Sequence, residues 1–190
     1  MKIESIHSQR INLPQIQLIA VWAAEKPENR NELWKLLYSP ERQISVNVLW
    51  VLTHLPKSEH EWLLSKQNEL IDTLLQETDT SKKRMLLHIL REQEYDMESL
   101  RTDFLDWCLT NINSENEPYA IRAFSIHLAF RMCRHYPELL AELQQHLTML
   151  TLQTLSPGLI SARRHTFNAI KKTLSKNFDP SDPYFYAESS

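Results

Sequence analysis

The sequence predicts an all-α fold, an α-α superhelix of about nine helices in four to five repeats. Apolar residues recur every three or four positions, the period of a helix with one buried face. Helix-starting signals recur at intervals of 36–41 residues, near Pro40, Ser81, Glu117 and Pro157. The chain has one glycine in 190 residues, where usual usage would give about thirteen. Helices tolerate this scarcity, whereas hairpins and bulges do not.

The helix boundaries are clearest in residues 116–177. Asn116 and Pro118 can start one helix, and Tyr136-Pro137 ends it, because proline disfavours helical geometry in the residue before it. Ser156-Pro157 opens a third helix after a second one. The first two helices carry regular apolar stripes, formed by Ile121, Phe124, Leu128 and Met132 and by Leu139, Leu143, Leu147 and Leu150.

The preceding part of the chain follows the same alternation of helices and breaks. Ser58 and Glu61 have the spacing of a capping box, which predicts one helix from there to about Glu77. The first two helices are short, as expected of a terminal repeat. The predicted helices of this part begin near Pro14, Pro27, Pro40, Ser58, Thr80 and Asp96.

These elements predict a single helical-repeat domain over residues 1–177 and a proline- and aromatic-rich tail over 178–190. Tyr184, Phe185 and Tyr186 are costly to leave in water. We expect them to pack on the last repeat, or in the groove of a second copy, which would make a homodimer. The sequence predicts neither a signal peptide nor a membrane span, and we expect a cytoplasmic protein without a membrane partner.

The sequence motifs exclude several kinds of catalytic and cofactor site. With Gly158 alone, the chain has no dinucleotide fingerprint, phosphate-binding loop or nucleophile elbow. Cys108 and Cys133 lie in apolar stripes, which predicts buried reduced thiols. His60-Glu61 begins like a zinc-protease motif, but Leu64 occupies the place of the second histidine. We therefore predict no catalytic residue, no cofactor and no metal.

Three histidines, His88, His127 and His165, recur about once per repeat. They could form a ladder that binds a metal or an anion. They could instead mark a recurrent small polar position of the repeat, and we favour this second interpretation.

The formal net charge is −3, and the charges divide between the two sets of helices. First helices of the later repeats are basic and second helices are acidic. This pattern indicates either solvated faces with ion pairs inside each repeat, or one basic and one acidic surface for a charged partner. On the second interpretation, the candidate protein-binding residues of the acidic surface are Glu69, Asp72, Asp103 and Glu142.

The repeat length and the proline and arginine residues at each first helix make the chain resemble HEAT-like, armadillo-type superhelices. It resembles more closely a group of small bacterial HEAT-like proteins. The matching segments are residues 19–27 (IAVWAAEKP), 44–55, 120–124 (AIRAF), 136–139 (YPEL) and 161–165 (SARRH). The resemblance implies that second helices line the concave face, which would be acidic. Members of this group can carry an adenylosuccinate lyase label. The chain has no run similar to the Ser-Ser-x-Met-Pro-x-Lys catalytic loop of that family.

The function predicted from these patterns is a non-catalytic scaffold whose helical-repeat groove binds a protein or peptide. The alternative is a nucleic-acid-binding protein or glycosylase similar to the DNA-alkylation-repeat enzymes, which hold a damaged base with aromatic residues and a carboxylate. Trp107 could supply the aromatic group, but Asn111 stands where the carboxylate is needed. A nucleic-acid partner is not expected, because affinity for DNA depends mainly on contacts with phosphates and the second helices of this chain are acidic.

Overall fold

The computed structural model describes residues 9–177 apart from 97, 99 and 153, and every regular element in that part of the chain is helical. The chain divides into two compact units, residues 1–94 and 95–190. The N-terminal unit contains α1 (Leu13–Glu25), α2 (Pro27–Leu36), α3 (Arg42–Leu52), a 3₁₀ turn (Lys57–Glu59), α4 (His60–Ser65), α5 (Gln67–Gln76) and α6 (Thr80–Arg91). The C-terminal unit contains α7 (Thr102–Asn113), α8 (Tyr119–Cys133), α9 (Pro137–Met149), a 3₁₀ turn (Leu150–Leu152) and α10 (Pro157–Asn177).

The N-terminal unit is built in two layers. Helix α3 packs between α1 and α6, and these three helices form the first layer. The second layer contains α2, which packs on α1 and α3, and α5, which packs on α6. The predicted pairing of first and second helices is observed for α1 with α2, whereas α5, predicted to pair with α3, packs on α6. Its core includes the fully buried side chains of Ile16, Leu33, Val48, Val51, Leu70, Leu74, Leu86 and Leu90.

The C-terminal unit is organised around α8, which packs against α7, α9 and α10. Arg122 is 2% exposed, and its Nε donates a 2.9 Å hydrogen bond to the carbonyl of Ile112 at the end of α7. Burial lowers the pKa of this guanidinium. Cys108 and Cys133 are buried free thiols, as predicted. Burial raises the pKa of both, that of Cys133 to about 12, so neither offers a reactive thiolate.

The predicted single helix from Ser58 to Glu77 is wrong. The chain forms a 3₁₀ turn, α4 and α5, with a break at Lys66, where φ is −97° and ψ is 5°. The expected capping box does not form, because Ser58 donates to Glu59, and Glu59 is buried in an ion pair with Arg30 of α2. This break explains why the described residues contain ten α-helices rather than about nine.

Most of the other predicted starts lie within a few residues of the observed ones. Pro27, Pro137 and Pro157 each begin a helix, and the Ser156 hydroxyl accepts from the Leu159 amide at 3.3 Å. Asp79, rather than Thr80, caps α6, since its carboxylate accepts from two amides of the first turn. The helix expected near Asp96 begins instead at Thr102.

The prediction of a single domain over residues 1–177 stays a prediction. The tail residues Tyr184, Phe185 and Tyr186 lie outside the described residues. In the part of the chain that is described, no helix has the length and apolar character needed to cross a membrane.

The pair of Arg30 with the buried Glu59 carboxylate gives a stability prediction. Arg30 also lies over the Trp62 ring, with its guanidinium carbon 5.6 Å from the centroid. We expect Arg30→Ala to lower the free energy of unfolding by about 3 kcal/mol, because it leaves the Glu59 carboxylate buried without its counter-charge. The measurement is urea denaturation.

Arg42→Ala is the matched control for this prediction. It removes a 2.6 Å pair with Asp79 in which the Arg42 side chain is 58% exposed. We expect a loss below about 1 kcal/mol. Equal losses in the two variants would contradict a special role for the Arg30–Glu59 pair.

Candidate functional site

A cavity of about 260 Å³ in the N-terminal unit is the candidate functional site. Its walls come from three segments: the end of α3 with the residues that follow it, α4, and the last turn of α6 with the residues that follow it. Because α3 and α6 pack side by side, their carboxyl ends meet at this cavity, which we call the α3–α6 pocket.

The side chain of Gln93 ties two of these walls together. Gln93 is 6% exposed, and its Nε2 donates a 3.0 Å hydrogen bond to the carbonyl of Leu63 in α4. Gln67 at the start of α5 donates similarly to the carbonyl of Glu94, at 2.8 Å. These two amide side chains hold α4 and α5 against the segment that leaves α6.

The floor of the α3–α6 pocket is apolar. Leu52, Leu63 and Ile89 line it and are themselves buried, whereas Leu64 is 40% exposed. Covering the exposed part of Leu64 stabilises a contact by roughly 1 kcal/mol, since burial of a whole leucine side chain contributes about 1.5–3 kcal/mol. The floor therefore offers an apolar contact to a group that enters from solvent.

The rim of the pocket carries three exposed carboxylates, those of Glu61, Glu92 and Glu94. Neither lysine nor arginine appears among the described residues that line the pocket. Arg91 adjoins the rim and binds the Glu92 carboxylate through Nε and Nη2, at 2.9 and 2.8 Å. The pocket lining thus combines an apolar floor with net negative charge.

Two histidines, His60 and His88, also line the pocket. His60 is exposed and His88 is half-buried. Burial lowers the pKa of His88, and the positive charge of Arg91 lowers it further, while Glu92 acts in the opposite sense. His88 is consequently neutral near pH 7, and it adds no positive charge to the pocket.

The residues predicted to form a binding surface fall in both units. Glu69 of α5 accepts hydrogen bonds from Trp34 Nε1 at 3.1 Å and from Lys66 Nζ at 2.5 Å, and the hydrogen bond from Lys66 is the main reason that its pKa is lowered. Asp72 is exposed on the same helix. Within the C-terminal unit, Asp103 is bound by Arg101 at 2.7 Å, and Glu142 is exposed on α9.

Sequence reasoning missed the pocket carboxylates as a group. A signal was nevertheless present in residues 92–94, where acidic residues directly follow the last turn of a helix. Helix carboxyl ends carry a partial negative charge and normally favour basic residues. Two glutamates at such an end therefore indicate a local accumulation of negative potential.

The structure gives no support to a metal-binding histidine ladder. His88 lies in the N-terminal unit, whereas His127 and His165 lie on α8 and α10 of the C-terminal unit. Among the described residues, no group of three or more histidine, cysteine, aspartate or glutamate side chains could hold a metal ion.

The residues considered for base recognition take part in packing. Trp107 is stacked on Phe104, with ring centroids 6.5 Å apart and an interplanar angle of 28°. Asn111 is 8% exposed, and its Nδ2 donates to the Trp107 carbonyl at 2.7 Å.

The paired helices in each unit define an α-α helical-repeat protein. Residues 4–170 match the model of the HEAT repeat domain, and the chain belongs to this family. The resemblance to HEAT-like proteins and the all-α fold class are thereby confirmed. Comparison with curated proteins and with solved structures gives no significant match.

The lowered pKa of His88 gives a prediction about pH. The unfolded chain protonates this histidine near its ordinary pKa of about 6.5, before the folded chain does. Its contribution to stability is therefore complete above that pH and is lost as the pH falls through the lower pKa of the folded state. We expect the urea midpoint to fall more between about pH 7.5 and 5.5 in the native sequence than in His88→Gln. Equal falls in the two proteins would contradict the assignment.

Proposed function

We propose that the protein is a non-catalytic interaction module that binds a protein partner at the α3–α6 pocket. The observation that carries this proposal is the exposed Leu64 and its buried apolar neighbours inside a rim of carboxylates. Interfaces between proteins commonly have this anatomy, with an apolar centre and a polar margin.

The size of the pocket supports a protein partner over a cofactor or a large metabolite. Sites for drug-sized ligands span roughly 300–1,000 Å³, and the α3–α6 pocket is smaller at about 260 Å³. One or two side chains of a partner fit this volume. The remainder of the partner would then rest on the surrounding helices.

The hydroxyl in the pocket lining has a structural role that supports a non-catalytic function. Thr53 Oγ1 donates to the Trp50 carbonyl at 2.7 Å, and His54 Nδ1 lies 3.0 Å from the same carbonyl. Both side chains therefore interact with the carboxyl end of α3. His54 Nδ1 also lies 3.0 Å from Thr53 Oγ1. The hydroxyl nevertheless donates its proton to the Trp50 carbonyl, whereas a serine- or threonine-based mechanism needs the hydroxyl proton to pass to the base.

The same charge distribution opposes a nucleic-acid partner at this site. Binding of DNA or RNA depends on cations that neutralise phosphates, and the pocket rim presents Glu61, Glu92 and Glu94. The chain as a whole has no excess of basic residues, because its formal net charge is −3.

Photocrosslinking tests the proposal. A benzophenone amino acid replaces Leu64 in one variant and the exposed Gln17 of α1 in a control, and each protein is irradiated in native lysate. We expect discrete protein adducts at position 64, competed by excess unlabelled protein, that the control does not form. An absence of protein adducts at position 64, or adducts of nucleic acid there, would overturn the proposed function.

A further inference from the structure

Backbone as well as side-chain charge makes the α3–α6 pocket negative. The carboxyl ends of α3 and α6 lie at its margin, with Thr53 and Glu92 as the respective C-cap residues. The last carbonyls of each helix carry a partial negative charge, which is reduced where they accept hydrogen bonds, as the Trp50 carbonyl does from Thr53. These partial charges add to the carboxylates of the rim.

The strength of this potential is increased by the position of Glu92 and Glu94. Both follow the last turn of α6, where a helix ordinarily favours a cation, and Arg91 supplies one cation beside the rim. Glu61 brings a further carboxylate from the first turn of α4 across the pocket. Arg91 binds the Glu92 carboxylate and offsets part of its charge, so the Glu61 and Glu94 carboxylates and the two helix ends supply most of the negative potential.

The apolar floor restricts which cations suit this space. A bare inorganic cation would lose its hydration over Leu52, Leu63 and Ile89 without gaining oxygen ligands from them. A cation on an aliphatic stem has both parts that the pocket requires. Its methylene groups can contact leucine and isoleucine side chains, while its charged end remains among carboxylates and water.

We propose that the α3–α6 pocket receives a basic side chain, arginine or lysine, from a segment of a partner protein, and that an apolar residue of this segment packs on Leu64. The inference rests on the proposed function and names the chemistry of the partner at the same site. Charge complementarity with Glu61, Glu92 and Glu94 selects this occupant over an acidic or purely apolar segment.

The direct test uses the full chain and a fluorescein-labelled peptide of alternating leucine and arginine. Fluorescence anisotropy should show saturable binding. A matched peptide with citrulline in place of arginine keeps the shape and removes the charge, and it should bind at least about tenfold more weakly. A lysine version separates recognition of the guanidinium from recognition of any cation. Absence of binding, or equal binding of the arginine and citrulline peptides, would overturn the proposal.

Two double variants test whether the peptide binds at the α3–α6 pocket. Glu61→Lys with Glu94→Lys should weaken binding of the arginine peptide by about tenfold or more, because it reverses two charges of the rim. The control, Glu28→Lys with Glu32→Lys, makes the same change in net charge on exposed positions of α2 and should stay within about twofold. Equal losses would show general attraction to an acidic protein and would contradict the proposed site. Circular dichroism and thermal melting check that both double variants are folded.

A failure of the peptide-binding experiment can be distinguished from a failure of the photocrosslinking test of the proposed function. If position 64 crosslinks to a protein partner but the arginine peptide does not bind, the proposal of a basic side chain in the pocket is wrong and the proposed function as an interaction module is retained. If neither result is obtained, both proposals fail.

Discussion

The packing of α3 between α1 and α6 is the contact on which the candidate site depends. A single helix pair cannot bury its own apolar face, so Val48, Val51 and Leu52 are buried only when α3 has neighbours on both sides. Side-by-side packing of α3 and α6 also brings their carboxyl ends together. The energetics of the core therefore determine where the two helix ends meet and, with them, the position of the pocket.

The carboxyl end of α6 combines the expected basic residue, Arg91 in the last turn, with two acidic residues that follow it. Most proteins place basic side chains where the last carbonyls of a helix are exposed. Here Glu92 and Glu94 follow α6, and a buried amide, Gln93, holds the segment against Leu63 of α4. Because a buried hydrogen bond holds this segment, the backbone of the two glutamates keeps a defined position at the rim. A fixed negative rim around an apolar floor is more selective than a mobile acidic loop, since little order is lost when a ligand binds.

The helical architecture was predictable because its signals are local. Proline, cap residues and the apolar period identify most helices directly, as Pro27, Pro137 and Pro157 show. The break at Lys66 was not predictable in this way. It accompanies the inward turn of Glu59 towards Arg30, which lies 29 residues earlier in the chain. A capping box is a local pattern, and a long-range ion pair overrides it here.

The candidate site was less predictable than the fold. Glu69 was expected on a binding surface because it is acidic and lies on a second helix, but its carboxylate accepts hydrogen bonds from Trp34 and Lys66. The pocket itself requires three segments that are separated in sequence, and no periodic pattern shows that Leu64 and Glu94 share one cavity. Charge counts along helices identify acidic surfaces, whereas tertiary packing decides which carboxylates surround an apolar floor.

The most direct measurement of the central claim is a set of intermolecular nuclear Overhauser effects between a methyl-labelled full chain and the leucine–arginine peptide. The account predicts contacts from the methyl groups of Leu64, Leu55 and Ile89 to the methylene protons of an arginine side chain. Contacts confined to other exposed apolar side chains, such as Leu18 and Val21 of α1, would contradict it.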